Sequence, residues 1–124
     1  MISMLLLSTA LCSGLLVSAE GITKRINFKR GKHSATVSGS VVRGDRDTYI
    51  VRAKAGQLMS VTINSRENNA VFQVKGPDGE YLQDAGEGDD AAEVTNVLPQ
   101  DGDYKIVVGG TRGNATYRVT VSIK

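Results

Sequence analysis

From residue 22 onward, apolar and polar residues alternate with a period of two, and no helical period competes with that signal. The closing run is the clearest: Ala115, Tyr117, Val119, Val121 and Ile123 share one parity, Thr116, Arg118, Thr120, Ser122 and Lys124 the other. Successive side chains of a strand point to opposite faces, so such a run has one dry face and one wet face. The same pattern marks Ala35, Val37, Gly39 and Val41, then Tyr49, Val51 and Ala53, then Met59, Val61 and Ile63. It returns at Ala70, Phe72 and Val74 and at Tyr104, Ile106 and Val108, while Ile22, Ile26 and Phe28 share a parity near the start. Turn pairs such as Arg30-Gly31, Gly44-Asp45, Ala55-Gly56, Asn68-Asn69, Pro77-Asp78 and Asp101-Gly102 fall between the runs. Turns every ~8 to 12 residues predict an all-β chain folded as an antiparallel β-sandwich of about eight short strands. Only residues 83–92 break the rhythm; small, acidic and Gly-rich, they read as an exposed loop between sheets.

Residues 1–19 stand apart. They carry no charge, hold the apolar runs Met4 to Leu7 and Leu15 to Val17, and end on Val17-Ser18-Ala19. This is the pattern of a secretory signal peptide cut before Glu20, leaving residues 20–124 as one β-sandwich domain. Ser8, Thr9, Ser13 and Gly14 interrupt the apolar stretch, which falls short of the ~20 residues of a membrane span. Cys12 is the only cysteine and leaves with the signal, so the exported chain has neither disulfide nor thiol chemistry. Leu11 precedes it where a lipoprotein signal wants Gly, Ala or Ser, which argues against lipidation.

The 15 Lys and Arg against 13 Asp and Glu give a net charge of +2, without the basic excess of a general nucleic-acid binder. The charges are nevertheless segregated. Lys24, Arg25, Lys29, Arg30 and Lys32 form a basic stretch, and Asp78, Glu80, Asp84, Glu87, Asp89, Asp90 and Glu93 an acidic one. Solvated faces and loops are the simpler reading of both, a binding surface the other. Asp84, Glu87, Asp89, Asp90 and Glu93 supply hard oxygen ligands for calcium, but their spacing is not that of an EF-hand loop. No cofactor is therefore expected. His33 is the single histidine, and no Ser-His-Asp set, His-rich metal site or P-loop can be assembled, so the chain reads as a non-enzyme.

Residues 98–108, Leu-Pro-Gln-Asp-Gly-Asp-Tyr-Lys-Ile-Val-Val, read as a rigid turn feeding a core strand. Such a turn is a place from which polar groups can be presented.

Several motifs together carry a resemblance. Phe28 to Ala35, Ser38-Gly39, Asp47-Thr48-Tyr49, Ala53 to Gln57, Leu98-Pro99, Gly102-Asp103-Tyr104 and the closing Tyr117 to Lys124 resemble the periplasmic inhibitor of goose-type lysozyme of Gram-negative bacteria. The Ala-Gly-Gln turn and the Pro-x-x-Gly-x-Tyr run are also similar, more loosely, to bacterial pre-peptidase C-terminal (PPC) domains. The first resemblance implies a jelly-roll or PPC-like sandwich, periplasmic or secreted, that blocks a lysozyme cleft with rigid loops. It implies a lysozyme partner and a contact set of Asp101, Gly102, Tyr104, Arg112 and Tyr49. Asp101 stands where the family has serine. A carboxylate there would be repelled by a catalytic carboxylate, which shifts the expected contact to Arg112, with Asp101 orienting it or meeting basic residues at the cleft rim. The looser resemblance implies instead a non-catalytic secreted module that binds an envelope polymer or protein.

Overall fold

The computed structural model describes residues 21–124, and the expected signal peptide lies outside them. Eight strands follow one another: β1 (Thr23–Arg25), β2 (Ser34–Val41), β3 (Asp47–Ala53), β4 (Leu58–Ser65), β5 (Ala70–Lys75), β6 (Glu93–Val97), β7 (Gly102–Gly110) and β8 (Ala115–Ile123). They form two four-stranded sheets, ordered β1-β3-β7-β5 and β2-β8-β4-β6. The inward residues of both sheets interdigitate as a single dry layer. Val61, Val74, Tyr104, Ile106, Val108, Val119 and Val121 are all fully buried. Each large aliphatic side chain placed there stabilises the fold by about 1.5–3 kcal/mol relative to exposure.

The alternation located β2, β3, β4, β5, β7 and β8, and the structure corrects the reading in three places. Ile22 and Ile26 do not share a core face: Ile22 is exposed, and only Ile26 is buried, beyond the end of β1. That short strand pairs parallel with β3, the one parallel pairing in an otherwise antiparallel sandwich. Its backbone ladder to β3 is supplemented by an exposed tie to β7, because Arg25 reaches past β3 to donate twice to Asp103, at 3.1 and 2.8 Å. The ion pair holds the Asp103 carboxyl below its usual range, chiefly through the hydrogen bond from Arg25.

Strand β6 is the second correction, since no alternating run announced it. The third is residues 83–92, which are more than an exposed loop. Ala85 and Ala91 are buried, and their carbonyls accept from the N–H groups of Val74 and Phe72. Leu82 N–H donates to Val74 as well. The segment is a strap laid along the outer edge of β5, satisfying backbone groups that an edge strand leaves open.

The outer face of the β2-β8-β4-β6 sheet is lined with hydroxyls. Thr36 meets Thr120 at 3.0 Å, Ser40 meets Thr116 at 3.1 Å, and Ser60 meets Thr95 at 3.1 Å across neighbouring strands. These pairs follow from the register and keep the wet side of each alternating run tied to its neighbour.

Candidate functional site at the arginine-bearing end

Strand β7 separates the expected contact residues. It carries the chain about 27 Å, with Asp101 just before its first residue and Arg112 beyond its last. Asp101 therefore does not orient Arg112. Its carboxylate instead accepts from the N–H of Ala55 at 2.7 Å, tying the turn before β7 to the turn after β3. Tyr104 is fully buried, and its hydroxyl donates to the Gln100 carbonyl at 2.6 Å and accepts from the Gln100 N–H at 3.2 Å. It closes the same turn from inside and offers no surface to a partner. Gly102, with φ of +141°, lies against Pro77; a Cβ there would sit 2.8 Å from the proline Cγ.

Tyr49 is also interior, at 1 % exposed, and belongs to a buried polar chain. The Tyr117 hydroxyl lies 2.6 Å from the Asp47 carboxylate and 2.6 Å from the Tyr49 hydroxyl. A carboxylate only accepts, so Tyr117 donates to Asp47 and Tyr49 donates to Tyr117. The second Asp47 oxygen accepts from the Ile22 N–H at 3.0 Å. Burial, followed by the bonds to Asp47 and Tyr49, pushes the Tyr117 hydroxyl far above the ordinary tyrosine range. Gly39 makes room for the pair, because a Cβ there would come within 2.6 Å of the Tyr117 hydroxyl. The chain anchors Asp47 at the start of β3 and thereby the preceding loop.

That loop, residues 42–46, lies at the same end of the sandwich as residues 66–69 and 111–114. The three loops carry Arg43, Arg46, Arg66 and Arg112, all exposed. Among the described residues, none of the four lies within ion-pair distance of a carboxylate. Asn69, buried at 3 %, stitches the loops together. Its side-chain amide donates to the carbonyls of Asn114, at 2.9 Å, and Arg112, at 3.3 Å. Its own carbonyl accepts from Thr111 N–H at 2.9 Å. Asn114 then accepts from the Arg43 N–H at 2.7 Å, and Arg112 donates to the Glu67 carbonyl. Beside these loops a trough of about 490 Å³ runs over β7 and β5, floored by Val107 and Gln73 and walled by Arg46, Glu87 and Asp90.

The alternation revealed none of Arg43, Arg46, Arg66 and Asn69 as parts of one surface. Their common signal is position: each sits in a turn between strands, and the sheet register brings those turns together. The acidic residues do not converge. Glu87 accepts from the Tyr81 hydroxyl and Asp89 from the Gly86 N–H. Among the described residues, no three His, Cys, Asp or Glu side chains are placed to hold a metal ion. What this end offers chemically is four exposed guanidinium groups carried by loops tied to one another, Arg46 resting on Gln73 and Arg112 on the Glu67 carbonyl, and suited to meeting carboxylates.

No family model matches the chain. It is, however, 30% identical over 128 residues to the inhibitor of g-type lysozyme of Escherichia coli (strain K12), across 97% of this chain and 90% of that protein.

The chain belongs to the family of g-type lysozyme inhibitors.

The periplasmic lysozyme inhibitor of g-type lysozyme from Aeromonas hydrophila superposes on this family member with a TM-score of 0.71. The two share 31% identity over 86% of this chain and 100% of that one. A pre-peptidase C-terminal domain of a Bacillus anthracis collagenase follows at 19% identity and a TM-score of 0.57, covering 82% of this chain and 94% of its own, and shows the shared sandwich fold alone.

Proposed function

We propose that this protein is exported to the periplasm, with residues 1–19 removed, and there inhibits g-type lysozyme without catalysing a reaction itself. The relationship to g-type lysozyme inhibitors along nearly the whole chain supports this reading. We assign the contact to the arginine-bearing end, and the carrying observation is that Arg112 stands exposed on a hairpin fixed by Asn69 and by its own bond to the Glu67 carbonyl. A lysozyme cleft holds a catalytic carboxyl group in a partly dry groove. A guanidinium held rigidly at that group forms charge-assisted hydrogen bonds and loses little freedom on binding, while the adjoining loops exclude the glycan. In this assignment Tyr117 and, through it, Tyr49 act from inside, holding Asp47 and with it the loop that carries Arg43 and Arg46. Asp101, Gly102 and Tyr104 shape the opposite end.

The test is direct. Purified protein added to a g-type lysozyme acting on peptidoglycan is expected to abolish lysis near equimolar ratio. Undiminished lysis with the protein in large excess would refute the assignment for that lysozyme class.

A further inference from the structure

The sandwich treats its two open sides differently. On one side, the edge of β5 is covered by the acidic strap that includes Ala85 and Ala91. On the other, β2 forms an eight-residue edge, and none of the described residues is laid along it. The His33 carbonyl accepts from the Ile123 N–H, which places the odd-numbered residues of β2 in the hydrogen-bonded pairs with β8. In an antiparallel ladder the intervening residues direct their N–H and C=O groups away from the partner. Ser34, Thr36, Ser38 and Ser40 therefore present a row of backbone donors and acceptors to solvent, and none has a backbone partner among the described residues.

Next to that edge runs a groove of about 580 Å³ between β1 and β2. Its floor is apolar, made by Ile26, Ala35 and Val37, and Lys24, Lys29 and Lys32 stand along its rim. Among the described residues, none of the three lysines is ion-paired.

We propose that this edge and groove form a second binding site, which takes an extended acidic peptide segment as a fifth strand of the β2 sheet. The backbone row supplies register-independent hydrogen bonds, the apolar floor receives small side chains at alternate positions, and the rim lysines attract the negative charge of the peptide as a whole. Charge disfavours a second copy as the occupant. Antiparallel pairing of two β2 edges would bring Lys32 of one copy toward Arg43 of the other, and parallel pairing would set lysine against lysine. The site is remote from the arginine-bearing loops in function and does not depend on the lysozyme reading.

The probe is a fluorescein-labelled octapeptide alternating valine and glutamate, followed by anisotropy with the purified protein. Saturable binding that weakens as salt rises is expected, with slowed hydrogen exchange at the amides of Thr36, Ser38 and Ser40. Ser38→Pro removes one outward N–H while leaving the β2–β8 bonds intact, and is expected to abolish binding without loss of lysozyme inhibition. Lys29→Glu with Lys32→Glu is expected to weaken binding by about tenfold or more. No saturable binding, no protection of those amides, or equal binding of a valine-lysine octapeptide would overturn the proposal. So would self-association that Ser38→Pro dissolves, which would make a second copy the occupant, or binding to phosphatidylglycerol vesicles in preference to the peptide.

Discussion

Asp47 and Tyr117 lie 70 residues apart in sequence and meet inside the sandwich at 2.6 Å. Among the described residues no cation pairs with the buried carboxylate, and its lost hydration is offset by hydrogen bonds from Tyr117 and from the Ile22 N–H. Tyr117→Phe removes one of them and is expected to lower stability by about 1–3 kcal/mol, read as a shift in the urea midpoint at neutral pH.

The same pair sets a response to alkali. In the unfolded chain Tyr117 ionises near its ordinary value of about 10, whereas in the fold its proton is held well above that. Its stabilising effect is thus complete below about pH 10 and is lost progressively as pH rises from there toward the raised folded value. The urea midpoint of the unmodified protein should fall as pH rises from about 10 to about 11, and that of Tyr117→Phe should fall less steeply. Equal slopes would show that other tyrosines govern the alkaline limb.

Arg112→Ala and Asp101→Ser separate the two ends of β7. Arg112 is exposed, so its removal should leave the melting temperature nearly unchanged and weaken lysozyme inhibition by about 2–5 kcal/mol, as for a desolvated charge pair. Asp101→Ser removes the carboxylate yet should leave inhibition as it was, with at most about 1 kcal/mol lost through the Ala55 hydrogen bond. The reverse outcome, inhibition sensitive to Asp101 and indifferent to Arg112, would move the lysozyme contact to the other end.

Asn69→Ala cuts the stitch between two hairpins. Two carbonyls lose their donor in a part-buried setting, at a cost of about 1–3 kcal/mol. Faster dissociation from lysozyme should accompany the lost stability, because the loop bearing Arg112 is then held less rigidly. Dissociation measured by biolayer interferometry checks this, and an unchanged rate would mean that the hairpin is rigid without Asn69.

Gly102→Ala should destabilise the chain by about 1–3 kcal/mol in chemical denaturation, since φ of +141° disfavours a side chain and Pro77 occupies its space. Inhibition by the molecules that remain folded should be normal.

What the sequence made legible, it made legible through periodicity. Tyr104, Ile106 and Val108 alternate without interruption, and all three are fully buried. Strand β6 escaped because its burial is one-sided and thin: only Val94 faces the core, while Val97 is 68% exposed. The strap escaped for a different reason. Alanines at 85 and 91 in an acidic, Gly-rich stretch carry no period, and their burial comes from β5 lying beneath them. Asp47 looked like one more polar residue ahead of a strand; its partner Tyr117 is supplied by the opposite sheet. The separation of Asp101 from Arg112, by contrast, was already present in the nine residues of β7, because a strand of that length fixes the distance between its ends.

The place of β8 also constrains when the protein can form. It is the shared neighbour of β2 and β4, so among the described residues the first strand of that sheet pairs only with β8, far along the sequence. No hairpin involving β2 can nucleate locally, and the sheet stays incomplete until residues 115–123 arrive. A polypeptide built this way closes its second sheet late and slowly, because the pairing that β2 waits for lies roughly eighty residues further along the sequence.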